Sequence, residues 1–322
     1  MPCMRASPDR NGQAPGAVSI VAAVPNLPHM IAVGAVCNTA IYQVDTIPPP
    51  PAKAVARAAT QVVDGMAVSA AAAFVRLGGT AAIWGRVGED EVGAEMIAAL
   101  ASDGLQVDGI RRVAGGRSSH AAVIVDGAGQ RLVVPYHQPD LDPDPSWLPL
   151  AMLSTASLVH ADIRWPDGAE AALRAARAAG VPTMLDAEVG PPSDLHRLLP
   201  LADFAVFSDA GLTALTGLSC VEAGLRQVAA NHAGHVGASC GADGYRWLEG
   251  GTLHHCPAPE VSVVDTLAAG DVFHGALALA LLEGRPMAEA ARFACVAASL
   301  KCTRFGGRRG CPSRAEVLAA GG

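Results

Sequence analysis

The residues of this 322-residue sequence best placed to do chemistry lie in one run: Val264-Asp265-Thr266-Leu267-Ala268-Ala269-Gly270-Asp271-Val272-Phe273-His274-Gly275-Ala276. A strand-like run ends at Val264, and a helical run begins near Gly270. The small residues Ala268, Ala269 and Gly270 let the backbone approach a ligand closely. They fall at a helix N-terminus, where unpaired N–H groups and the helix dipole favour negative charge. Such a turn is an anion hole for a phosphate or a developing phosphoryl charge. Asp271, set beside it, is able to take a proton from an attacking hydroxyl. An anion hole plus a base describes phosphoryl transfer to an alcohol. Asp271 alone could equally be a cap on a glycine-started helix; the whole string carries the chemical reading. His274, one turn further on, reads as a packing residue.

Other elements must position this run. Ile31 to Val36 reads as a buried strand, Ala67 to Leu77 as a small-residue helix ending at Gly78-Gly79, Ala81 to Val87 as a strand, and Val92 to Asp103 as a helix. His120 to Asp126 and Arg131 to Tyr136, joined by Gly127-Ala128-Gly129, read as a hairpin. From Leu158 onward strands alternate with helices, the pattern of a parallel sheet covered on both faces. The segments at about 40–63 and 117–137 are expected to form a small separate sheet, a lid. Pro48 to Pro51 reads as a rigid linker. Residues 1–29 are expected to be a disordered extension, with 30–322 forming the folded domain.

Composition narrows the function. The net charge of −7 argues against a nucleic-acid backbone as partner. Only two lysines occur, Lys53 and Lys301, and neither follows a glycine, so a Walker A loop is excluded; no HRD or DFG string marks a protein kinase. The mean hydropathy is +0.30, but the uncharged stretch 16–44 is broken by Pro25, Asn26, Pro28, His29 and Asn38, so no membrane span of about 20 residues is expected. No C-x-x-C pair occurs among the eight cysteines, which read as reduced thiols of a cytoplasmic protein. His254-His255 has no further ligand at zinc spacing.

The string Asp-Thr-Leu-Ala-Ala-Gly-Asp-x-Phe-x-Gly-Ala resembles the C-terminal signature of the ribokinase family, the PfkB carbohydrate kinases. Asp64-Gly65-Met66-Ala67-Val68-Ser69-Ala70-Ala71, then Leu77-Gly78, then Gly85-Arg86-Val87-Gly88-Glu89-Asp90-Glu91-Val92-Gly93, resembles the family's N-terminal signature. Ser239-Cys240-Gly241 resembles its nucleotide turn, and Phe293 to Gly310 its nucleotide and monovalent-cation region. The likeness spans about residues 31 to 318. It implies an α/β fold, a three-layer α/β/α sandwich with a small β-sheet lid. It also implies ATP-dependent phosphorylation of a small sugar, with Mg²⁺ entering with ATP. The lid of this family is also able to pair subunits, which makes a homodimer an expectation.

By the same resemblance Asp271 is the base, and Ala268, Ala269, Gly270 and the Asp271 amide form the anion hole. Gly65 contacts the sugar. Ser239, Gly241, Cys295 and Thr266 lie toward the nucleotide, and Asp265 with the Leu267 carbonyl holds a K⁺-like ion. Three departures stand out. Thr39 falls where a sugar-anchoring Asp is usual, with Asn38 or Asp45 as substitutes. The Gly-Gly pair is Asp64-Gly65 and the usual Asn is Ser69, so Asp64 either supplies a carboxylate to the sugar or is a solvated lid residue. The Asn-x-x-Glu that orders Mg²⁺ falls on Ser208-Asp209-Ala210-Gly211, leaving Asp209, or Asp186 and Glu188, to compensate. Arg164 either reads an anionic substrate group or pairs with Asp162 or Asp186 at the surface. The Asp-x-Arg-Trp and Asp-Ala-Glu strings around it resemble the branch of sulfofructose and ketohexokinase-like kinases. A nucleoside kinase, which would want a base-stacking aromatic in the lid (Tyr42 or Tyr136), and a non-catalytic sensing relative are the alternatives.

Overall fold

The computed structural model describes residues 27–322; the expectation for the first 26 residues lies outside them. Strand β1 (His29–Val33), β2 (Cys37–Gln43) and β3 (Ala58–Asp64) lead into helix α1 (Met66–Arg76). Next come β4 (Thr80–Gly88), α2 (Glu91–Ser102), β5 (Gln106–Val113), β6 (Ser119–Val125) and β7 (Arg131–Tyr136). The alternating part follows: β8 (Leu158–Ala161), α3 (Pro166–Ala178), β9 (Thr183–Ala187), α4 (Pro192–Leu198), β10 (Phe204–Ser208), α5 (Asp209–Thr216), α6 (Val221–Ala229) and β11 (His235–Ser239). The hairpin β12 (Tyr245–Glu249) and β13 (Thr252–Cys256) precedes α7 (Ala269–Leu282), α8 (Met287–Cys302) and α9 (Arg314–Ala319).

Nine strands form one sheet in the order β13-β12-β11-β10-β9-β8-β1-β4-β5. It is parallel from β5 to β11, and β12 and β13 run antiparallel at one edge. Because successive side chains of a strand point to opposite faces, each strand feeds two cores. Met30, Ala32, Leu158, Met184 and Val206 pack against Phe74 of α1, Leu277 of α7 and Phe293 of α8. Ile31, Val33, Val159, Leu185 and Phe207 pack against Leu173, Leu195, Leu212 and Leu225 of α3 to α6. This is the expected three-layer sandwich.

The expected second sheet is present, in the order β3-β2-β6-β7. Its inner face carries Ile41, Val62, Val123 and Val125, which pack against Leu267 and Phe305 of the large domain. The lid is thus seated by apolar contact on the loop that precedes α7.

Two element assignments and the state of one cysteine differ from expectation. β1 begins at His29 and ends at Val33, so Gly34 to Val36 are free to line the cleft. The run ending at Val264 is not a strand: the N–H groups of Val264 and Asp265 both donate to the Cys302 carbonyl at the end of α8, at 2.8 and 3.1 Å, and join no ladder. Among the described residues six cysteines are free thiols, whereas Cys220 is disulfide-bonded, against the expectation of reduced thiols throughout.

Candidate active site

α7 starts at an unusual turn. Ala268, its N-cap, has φ 63°, the sole non-glycine residue in the left-handed region among the described residues. An L-residue there costs about 1–2 kcal/mol. No side chain caps the helix. Ala269 N–H turns back to the Thr266 carbonyl at 3.2 Å, so the expected four-residue hole loses one donor, leaving the amides of Ala268, Gly270 and Asp271. Nothing lies within 4 Å of where a Gly270 side chain would begin, so this end of the helix is open.

Asp271 stands beside these amides, partly covered. Burial first, and then the charges of Asp186, Asp64, Asp162 and Glu188, hold its carboxyl well above the ordinary aspartate range. Two of these neighbours are firmly placed. The buried Asp64 accepts the hydroxyl hydrogen bond of the fully buried Ser69, so both residues are interior groups and Asp64 is not a solvated lid residue. Asp162, wholly buried at the end of β8, accepts from Ala67 N–H at the head of α1 (3.1 Å) and from Arg164 N–H (2.7 Å). Burial outweighs these bonds and raises its pKa. The sequence alone offers Asp162 only as a partner for Arg164. Between them Gly65 caps α1 at φ 138°, and a side chain there would strike the Ala35 carbonyl at 2.0 Å.

Below Asp271, Asp186 faces two buried imidazoles. His274 Nε2 lies 3.4 Å from Asp186 Oδ1, and the His160 and His274 rings meet edge to face at 5.4 Å. Both nitrogens of His160 and Nδ1 of His274 lack a hydrogen-bond partner among the described residues. Burial lowers the His160 pKa to about 4 and lowers that of His274 well below its usual value, so both rings are neutral.

The lid and nucleotide residues fall unevenly. Thr39 is buried on the inner lid face. Its neighbour Asn38 must point the other way: it pairs in register with His120 on the outer face and accepts from Gln61 Nε2 at 2.9 Å. Asn38 is therefore not a cleft residue. Asp45 is ion-paired with Arg57 in the lid. The Thr266 hydroxyl is engaged by the lid hairpin, donating to the Gly129 carbonyl (3.0 Å) and accepting from Arg131 Nη1 (2.7 Å). Ser239 ends β11, donating to the Phe207 carbonyl at 3.3 Å, and Gly241 follows at φ 56° with open space beside it. Cys295 is a core residue, 3% exposed, whose thiol faces the Cys256 carbonyl; it lines no open surface.

Asp209 does not replace the lost glutamate. Its carboxylate is exposed and accepts from Ala210 N–H at 2.8 Å. Glu188 accepts instead from Ser208 Oγ at 2.8 Å. Gly211 explains the exchange: a side chain there would meet the Ala187 carbonyl at 2.4 Å. A glutamate at 211 is excluded by the backbone of Ala187 and Glu188 at the end of β9. A partly exposed carboxylate and a hydroxyl are hard oxygen donors, which fit Mg²⁺.

The expected K⁺ pocket is otherwise furnished. Asp265 is fully buried: Oδ1 accepts from Leu267 N–H (2.8 Å), and Oδ2 from Gly306 N–H (3.0 Å) and Gly307 N–H (2.9 Å). Lys301 brings its ammonium to the Asp265 carbonyl at 2.6 Å. A protein cation already stands where the ion was expected, so these residues do not fit K⁺.

Arg164 is exposed. Its guanidinium donates to the Val189 carbonyl at 3.0 Å and pairs with neither Asp162 nor Asp186. With Arg86, His137, Ser119 and Gln138 it lines a small pocket beside Gly34 to Val36.

The chain is similar to known proteins along most of its length. Residues 28–314 match the family model described as pfkB family carbohydrate kinase. A ribokinase of Arabidopsis thaliana is 27% identical over 311 residues, covering 90% of this chain and 80% of that protein. A crystal structure designated a ribokinase, from Agrobacterium tumefaciens, superposes with a TM-score of 0.88 at 38% identity, over 92% of this chain and 97% of that one. The Arabidopsis thaliana ribokinase complexed with ribose and ATP gives 0.76 at 25% identity, over 91% and 98%. The protein is a phosphotransferase with an alcohol acceptor. It belongs to the PfkB family of carbohydrate kinases and uses ATP on a sugar.

Proposed function

We propose that Asp271 deprotonates one hydroxyl of a small sugar while the Gly270 and Asp271 amides receive the charge developing on the transferred phosphoryl group. The observation that carries this is the left-handed Ala268, which turns the chain so that open amides and a carboxylate of raised basicity share one helix end. A base whose pKa approaches the working pH transfers protons well. The sugar sits between Gly65 and the carboxylates of Asp64 and Asp162, under Thr39, with its far end toward Arg164. The nucleotide lies along Ser239 and Gly241. Glu188 and Ser208 are the residues that would hold Mg²⁺, which when bound supplies neutralisation of phosphate charge. The lid excludes water so that ATP is spent on the sugar.

Arg164, with unpaired donors beside Arg86, favours substrates carrying an anionic group at that end. The nucleoside alternative loses support: Tyr42 and Tyr136 sit in register with Ile124 and His120 on the outer lid face, away from the cleft. We also propose that this outer face pairs two copies of the chain.

The test is ADP release from Mg-ATP against pentoses, ketohexoses, phosphorylated and sulfonated ketoses, and nucleosides. One sugar should give turnover that Asp271→Asn lowers by about 10² or more. Arg164→Ala should then raise KM for an anionic sugar more than for a neutral one. Turnover undiminished in Asp271→Asn would refute the base assignment.

A further inference from the structure

Lys301 is one of two lysines in the chain and is completely buried. Burying an ammonium is unfavourable unless it is paired and hydrogen-bonded. Here both conditions hold: Nζ donates to the Asp265 carbonyl at 2.6 Å and lies 3.4 Å from Asp265 Oδ2. The carboxylate is meanwhile saturated by the N–H groups of Leu267, Gly306 and Gly307. Those bonds tie three segments together: the loop that leads into Ala268, the end of α8, and the 306–307 turn.

The charge is also well placed. Lys301 lies in the last turn of α8, where the helix dipole favours a cation and where the Cys302 carbonyl receives two N–H groups from residues 264 and 265. Removing the ammonium would leave a buried carboxylate uncompensated, three residues before the turn that shapes the anion hole.

We infer that Lys301 is a built-in monovalent cation: a positioning residue whose ammonium orders the 265–271 loop, so that the enzyme needs no free K⁺. The inference rests on the kinase reading, because it concerns the loop that would hold the phosphoryl group. Its partners are fixed irrespective of the sugar. A diffusible ion could leave and be replaced; a tethered one is always present, so the loop is ordered at any salt composition.

The experiment compares the full-length protein with Lys301→Met and Lys301→Ala in tetramethylammonium buffer, with and without KCl or NH₄Cl. Two readouts are taken, ADP affinity by calorimetry and sugar-dependent turnover. ADP affinity needs no identified sugar, so a failed substrate search leaves this test intact. The wild type should change by less than about twofold on adding K⁺, while Lys301→Met in K⁺-free buffer should lose about tenfold or more in kcat or ADP affinity, as misplaced donors predict. Lys301→Ala, which vacates room for an ion, should recover part of that loss with K⁺ or NH₄⁺ and none with tetramethylammonium. A wild type activated tenfold by K⁺, or a folded Lys301→Met as competent as the wild type without it, would overturn the inference. Should both variants fail to fold, the K⁺ response of the wild type decides alone.

Discussion

At the scale of single residues, Asp271 joins activity to stability. Its folded pKa is raised above that of the unfolded chain, by burial and then by Asp186, Asp64, Asp162 and Glu188. A raised acid is stable below its unfolded pKa and loses that stability as pH rises through the folded value. Ionised Asp271 therefore destabilises the fold at neutral pH, and Asp271→Asn should melt higher than the wild type while losing turnover. The difference should vanish as pH falls toward about 4, the unfolded aspartate pKa, which thermal melts across pH would check. The base must be ionised to act, so the acid limb of kcat/KM should lie well above pH 4, and Asp186→Asn should move it downward. His160 offers a second test: replacing a buried imidazole with two unpartnered nitrogens by Leu should raise stability, by up to about 1–3 kcal/mol. A loss in denaturant titration would mean instead that the rings hold a hydrogen-bonding guest. Asp271 was legible in the sequence because its turn, amides and carboxylate are contiguous. Glu188 was legible only as one of three carboxylates able to compensate, because its partner Ser208 lies 20 positions away, and Lys301 was not legible at all: its partner lies 36 positions away, and only the fold brings the two together.

At the scale of elements, the lid and the anion-hole loop are one mechanical unit. Arg131 of β7 reaches the Thr266 hydroxyl and the Gly129 carbonyl accepts from it, so the lid hairpin holds the loop that starts α7. Arg131→Ala should loosen this tether, raising KM for sugar several-fold, by about 1 kcal/mol of lost hydrogen bonding, and increasing sugar-independent ATP hydrolysis as water enters. Unchanged KM and unchanged hydrolysis would show that the apolar contacts of Ile41 and Val125 with Leu267 suffice. The lid strands and α7 were legible because hairpin alternation and small-residue runs are local signals. α8 was read only as a motif region, because nearly every face of it is buried and it shows little periodicity. The hairpin of β12 and β13 was overlooked although Gly250 and Gly251, both at positive φ, are the turn residues such a hairpin requires. Asn38 was misplaced for a simpler reason: a single-residue difference in a strand reverses the face, and the register of β2 against β6 is set by tertiary packing.

At the scale of the whole molecule, the outer lid face is left uncovered by the described residues of a single chain. Tyr42, Leu132, Val134 and Tyr136 are 43, 46, 55 and 50% exposed, and the β2–β6–β7 register aligns them on one face. Among the described residues β7 is in addition an edge strand with no neighbour on its far side. An exposed apolar edge of this kind is an association hazard unless something covers it. A second copy is the occupant proposed here, because a lid-to-lid contact closes by two-fold symmetry and buries the same residues from both chains. Sedimentation should show a dimer at micromolar concentration, and Leu132→Glu with Val134→Lys should give a folded monomer, since both side chains point away from the cleft. If the lid needs its partner to stay seated over Asp271, the monomer should bind sugar more weakly while keeping nucleotide affinity, because Ser239 and Gly241 lie at the end of β11 in the other sheet. A wild type that sediments as a monomer at all accessible concentrations would remove the pairing, and the apolar outer face would then need another explanation.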